Sequence, residues 1–135
     1  MLTAGADYAF AHKTTWVFAD AGVDFRTVVI TRTTVYAFPR EHAAALAELL
    51  TAPPTTAKKL DAELARRGAD TDIPVAMPLA GFRRIIVYRG WFRRSVVLSK
   101  KAKGFDARPA SINPTKVEMP AFVELLQALP QVELK

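Results

Sequence analysis

The side chains with which this chain could make or break bonds are few. There are two histidines, His12 and His42, three serines, Ser95, Ser99 and Ser111, and no cysteine. Without cysteine, thiol nucleophiles, disulfides and thiolate-bound zinc are excluded together. Neither histidine has a second one at metal-ligand spacing, and no HExxH pair can be written. No serine stands in a GxSxG elbow, and the six glycines form no phosphate-cradling loop of the GxGxxG or GxxxxGKS/T kind. The acids are scattered, with no pair set by sequence for general acid–base work. The expectation is a protein that is not an enzyme, with no metal and no cofactor, both histidines being structural or superficial.

The chemistry that does stand out is basic. The stretch Phe82–Arg108, FRRIIVYRGWFRRSVVLSKKAKGFDAR, holds nine Lys or Arg against one acid, Asp106. That gives it +8 within a chain of +6, so the remainder carries −2. The residues that could meet an anion or a partner surface are Arg83, Arg84, Arg89, Arg93, Arg94, Lys100, Lys101 and Lys103, with Trp91 among them. A tryptophan flanked by arginines suits insertion at a lipid interface, stacking on a base, or a hot spot on a protein. The plainer account is a solvated sheet face whose long cationic side chains shield an edge from aggregation.

Length and composition bound the rest. A chain of 135 residues, half of them hydrophobic and 24% charged, fits one domain spanning 1–135 and needs no metal or disulfide to fold. The amino terminus has no basic stretch ahead of an apolar run, and no segment approaches the roughly 18 apolar residues of a membrane span. The expected setting is cytoplasmic, with peripheral contact to a membrane left open. A pI near 9.9 allows acidic partners without choosing among them.

The elements that must position these residues follow from periodicity. The first dozen residues read as a loose lead-in. Thr14–Asp20, Phe25–Thr31 and Thr34–Phe38 are β-branched and aromatic, which predicts an antiparallel meander with a turn at Asp20–Asp24 and an end at Pro39. Residues 40–70 then change period. Ala43, Leu46, Ala47 and Leu50 form one helical stripe, Pro53-Pro54 breaks it, and a second helix starts near Thr55 or Thr56. Gly68 is placed to end that helix in the left-handed conformation.

Strand chemistry returns with a proline-interrupted edge strand at Ile73–Leu79. A hairpin of Phe82–Arg89 and Phe92–Lys100 follows, turned by Gly90-Trp91 in a type II′ geometry, then a last short strand at Gly104–Pro109. Alternation puts Ile85 and Val87 on one face of the hairpin with Val96 and Leu98, so its middle is apolar and its charge lies at both ends. Phe122, Leu125, Leu126 and Leu129 mark a closing amphipathic helix, with Pro120 in its first turn and Pro130 at its end. About seven short strands cannot bury both faces while flat, so they must curl into a barrel or split into two packed sheets.

With residues 40–70 left out, this order resembles the pleckstrin-homology-like superfold, including its GRAM-like and bacterial members. Phe25–Pro39, FRTVVITRTTVYAFP, is similar to the family's strand, bend and aromatic strand. Ile73–Tyr88, IPVAMPLAGFRRIIVY, resembles its Pro-Leu and Ile-rich element, and Glu118–Leu129 sits where the capping helix belongs. The resemblance covers about three quarters of the chain and implies an α+β domain with a helical-hairpin insertion at about 40–70. It implies a docking platform for protein or peptide as the first expectation. Attachment to anionic membrane lipid is the alternative, although lipid-binding members often carry basic residues between the first two strands, where this chain has the acidic Asp20–Asp24. A small hydrolase or isomerase whose site assembles only in three dimensions comes third. Nucleic acid is disfavoured, since neither an RNP-like aromatic pattern nor a basic helix face is present.

Overall fold

The computed structural model describes residues 1–17, 23–71, 75–104, 106 and 109–135. Strand β1 (Tyr8–Val17) pairs antiparallel with β2 (Val23–Thr31), and β2 with β3 (Thr34–Pro39), so the expected meander is present. The loose lead-in is not, because β1 begins at Tyr8 and buries Tyr8, Ala9 and Ala11, with Leu2 alongside. His12 and Lys13 together oppose Thr27, a β-bulge whose extra residue breaks the alternation that would have revealed the strand. Thr27 Oγ1 donates to the His12 carbonyl at 2.8 Å and pins the bulge. The end of the Thr14–Asp20 strand and most of the Asp20–Asp24 turn lie outside the described residues.

After a 3₁₀ turn at Arg40–His42 come α1 (Ala43–Thr51) and α2 (Ala57–Ala69). Thr56 caps α2 by accepting from the Lys59 amide at 3.2 Å, as its sequence position predicts. Gly68 does not end the helix in a left-handed conformation. It lies buried inside α2, where a Cβ would overlap Val75 Cγ2 and approach the Phe38 ring, so glycine is needed for close packing. The two helices cover the outer face of the meander. Leu46, Leu60 and Leu64 pack there with Val29, Tyr36, Phe38 and Val75.

The chain continues through β4 (Ala76–Pro78), a 3₁₀ turn at Leu79–Gly81, β5 (Arg84–Arg89), β6 (Arg94–Ser99), β7 (Ala110–Ile112), α3 (Met119–Leu126) and β8 (Val132–Leu134). The expected Ile73–Leu79 strand shortens to β4 and does lie at an edge; 72–74 are outside the described residues. The eight strands form one continuous ladder in the order β4-β3-β2-β1-β7-β6-β5-β8. The last two residues of β1 pair with β7, so the ladder falls into two halves of four strands joined at that seam. Its end strands are β4 and β8, so it does not close into a barrel.

The halves face each other across the main core. Ala9, Ala11, Val28, Ile30, Val35 and Ala37 come from one half, and Ile85, Val87, Val96, Leu98, Ala110 and Ile112 from the other. Phe122, Leu125 and Leu126 of α3 fill the opening, with Leu129 only partly buried because the helix ends at Leu126, short of Pro130. β2 and β3 are thus apolar on both faces, one toward this core and one toward α1 and α2. This is why Val28–Ile30 of β2 and Val35–Phe38 of β3 read as unbroken hydrophobic runs.

Two local expectations change. The expected strand at Gly104–Pro109 gives way to β7 at Ala110–Ile112, with 105, 107 and 108 outside the described residues. The strand β8 was not foreseen; three residues, VEL, carry no readable alternation, and the strand exists because β5 offers an open parallel edge. No helix among the described residues is long and apolar enough to cross a membrane.

Candidate functional site at the β5–β6 hairpin

The hairpin is core before it is surface. Ile85, Val87, Val96 and Leu98 are fully buried, as alternation requires. Its turn is not the two-residue Gly90-Trp91 loop. Arg89 pairs with Arg94, so the loop is the four residues 90–93, and Gly90 has no positive φ of the kind a type II′ turn demands. The longer loop pushes Trp91 and Phe92 off the ladder. They are 81% and 85% exposed, with ring centroids 3.8 Å apart.

The cations at this tip differ in their surroundings. The Arg93 guanidinium lies 3.8 Å over the Tyr88 ring, a cation–π contact that holds it against the strand. Arg89 is exposed and Arg94 half-buried, and they are direct cross-strand partners on the face shared by Val87 and Val96. Asn113 Nδ2 donates to the Arg94 carbonyl at 3.2 Å, fastening the tip to the loop ahead of α3.

The other predicted residues gather at the opposite end of the hairpin. Arg84 makes a two-pronged pair with Glu133 of β8, at 3.2 and 3.0 Å, which raises the guanidinium pKa and lowers that of the carboxyl. Arg83, Lys100, Lys101 and Lys103 are exposed. Asp106 shapes their turn by accepting from Ser99 Oγ at 2.9 Å and the Lys100 amide at 3.0 Å. Six residues of strand separate the two clusters by about 17 Å. The structure brings Arg89, Trp91, Arg93 and Arg94 together and leaves Arg83, Arg84, Lys100, Lys101 and Lys103 apart from them.

Two residues at the tip were not foreseen. Phe92, expected at the start of a strand, is in the loop beside Trp91. Lys116 stands in the turn that enters α3, and the signal for that turn is Thr115-Lys116-Val117-Glu118, a capping box. Its bonds are reciprocal: the Glu118 amide donates to Thr115 Oγ1 at 3.3 Å, and the Thr115 amide to Glu118 Oε1 at 2.9 Å. The second carboxylate oxygen of Glu118 accepts from the His12 amide at 2.7 Å, which ties α3 to the bulge of β1.

The reactive residue types do not converge. His12 stands edge-on to Phe10, while His42 tilts on Phe38 beside α1. Tyr36 donates to Asp61 Oδ1 at 2.9 Å under the helices; burial first, and then that bond, push its pKa up to about 12. Among the described residues no group of three or more His, Asp or Glu is placed to hold a metal ion. Comparison of the chain with protein-family models, with curated proteins and with solved structures finds no match.

Proposed function

We propose that this protein is a non-enzymatic binding module of pleckstrin-homology-like architecture that docks an acidic protein surface through the tip of the β5–β6 hairpin. Support for the architecture comes from the strand order β4-β3-β2-β1-β7-β6-β5, with an amphipathic helix seated where the two halves open. The observation that carries the function is the pair Trp91 and Phe92, side by side, over four-fifths exposed, on a loop based in the core. Aromatic residues beside arginine are the composition of interface hot spots, and burying one such side chain is worth about 2 kcal/mol. Arg89 and Arg93 at the same tip complement an acidic partner.

Affinity capture with wild type and a Trp91→Ala/Phe92→Ala variant, followed by titration of the purified partner, tests this. The variant should lose the partner while keeping its melting temperature, since neither ring is in the core. Identical binding by both proteins would remove the tip as the docking site.

Attachment to anionic lipid is the second reading, favoured by cations standing at the aromatic end. It is weakened by the split between the clusters and by the Arg84–Glu133 pair, which leave no single face with all eight cations. Co-sedimentation with phosphatidylglycerol vesicles over a salt series separates the two. Lipid attachment predicts binding that fades as the screening length falls below about 8 Å.

A further inference from the structure

We propose that the cleft between the turn end of the β5–β6 hairpin and α3 binds a small amphiphilic anion, a carboxylate or phosphate head on an apolar body. The cleft has a volume of about 360 Å³, within the range of small-molecule sites. Arg89, Arg94 and Lys116 form its basic side, and Met119, Pro120 and Val123 its apolar side. Head and body thus have separate walls.

Two independent observations call for an anion. First, Arg89 and Arg94 are directly opposite in the last register pair of the hairpin, with Cβ atoms about 5 Å apart, an arrangement that is unfavourable for like charges. Among the described residues no carboxylate lies within ion-pair distance of either arginine or of Lys116. Second, Arg94 Nε is buried with no hydrogen-bond partner. The partly buried Arg94 side chain lines the cleft. Glu124 also lines the cleft, but its carboxylate is packed against Gly5, where the positive φ of that glycine and its missing Cβ make room. The side chains of Arg89, Arg94 and Lys116 are therefore without an ion-pair partner among the described residues, although the Lys135 main-chain oxygen accepts from the Arg89 amide at 3.3 Å.

This site shares Arg89 with the proposed docking tip but not Trp91, and the test keeps them apart. Calorimetric titration would use octyl phosphate and octanoate, with octyl glucoside as the neutral tail and inorganic phosphate as the bare head, all below micelle formation. Octyl phosphate and octanoate should bind one to one, at least 10-fold tighter than either control. Arg94→Gln should weaken them at least 10-fold, and Trp91→Ala should leave them within two-fold. Should Arg94→Gln fail to fold, Val123→Glu puts a carboxylate on the apolar wall and should give the same loss.

Phosphatidylglycerol vesicles separate the sources of the head group. Vesicle binding displaced by octyl phosphate marks a lipid as the occupant, and octyl phosphate binding without vesicle binding marks a free ligand; both support the cleft. Inorganic phosphate binding as tightly as octyl phosphate, or binding indifferent to Arg94→Gln and to Val123→Glu, would overturn it.

Discussion

Gly68 shows how a single side chain can be read correctly as special and wrongly as to why. A glycine after two arginines looks like a helix stop, yet it lies inside α2 against Val75. In an exposed helix interior, Gly→Ala would stabilise by about 1 kcal/mol. Here the new methyl overlaps Val75 Cγ2, and overpacking costs about 1–3 kcal/mol, so the clash wins. Gly68→Ala is expected to lower the urea midpoint, and Val75→Ala in the same chain to recover part of the loss; a stabilised Gly68→Ala would sink the packing account. Glu63 supplies the pH dependence on the same helix. Hydrogen bonds from Arg66 at 2.6 Å and Arg67 at 2.8 Å hold its pKa at about 2, down from 4.5. A lowered carboxyl pKa stabilises the fold above about pH 4.5, and that contribution disappears as pH falls through about 2. Arg66 is exposed and Glu63 and Arg67 are only partly buried, so salt should shrink the effect. Between pH 6 and pH 3, Glu63→Gln should lose less stability than wild type. Parallel losses would show that the ion pairs contribute nothing.

Among the elements, those with strong periodicity were legible before any coordinates. The two helices of 40–70 and the Phe122, Leu125 and Leu126 stripe of α3 fall where 3.6-residue spacing puts them, with Leu129 beyond the helix end, because leucine at that spacing has one face to bury. β1 was half hidden, since alanines and a bulge blur a two-residue period. The hairpin turn differs from its reading because Gly90-Trp91 has the composition of a two-residue type II′ loop and Phe92 that of a strand, and only the Arg89–Arg94 register shows that the loop runs to 93. The gathering of Arg89, Arg94 and Lys116 was not legible at all. It depends on α3 crossing the end of a hairpin whose sequence lies some 22 residues earlier, and local pattern carries no such distance. The entry to α3 gives a graded test. Thr115→Ala removes one cap and should cost about 1 kcal/mol, while Thr115→Ser should recover most of it. Glu118→Ala releases the amides of both Thr115 and His12 and should cost more, measured by chemical denaturation. Equal costs would mean that the tie to the β1 bulge is without effect.

At the scale of the whole molecule, the two cores are not separable bodies. β2 and β3 supply Val28, Ile30, Val35 and Ala37 to one core and Val29, Tyr36 and Phe38 to the other, so the inserted helices stand on the same strands that line the main core. What joins the halves of the ladder is narrower. β1 meets β7 through Trp16–Ile112 and Val17–Ser111, and Thr14 Oγ1 accepts from the Asn113 amide at the same place.

That seam has a consequence in time as well as in space. The Thr14–Asn113 bond spans 99 residues, and closing a loop of that length costs about 2 kcal/mol more entropy than closing one of ten. The meander and the β5–β6 hairpin involve short loops, so each can form before the seam does. The rate of folding should therefore belong to the encounter of two preformed halves, on the millisecond-to-second scale of non-local β topologies. In stopped-flow measurements Thr14→Ala should slow the folding limb of the chevron, as for a contact made at the barrier. Faster unfolding with an unchanged folding limb would instead mean that the seam closes only after the halves have met.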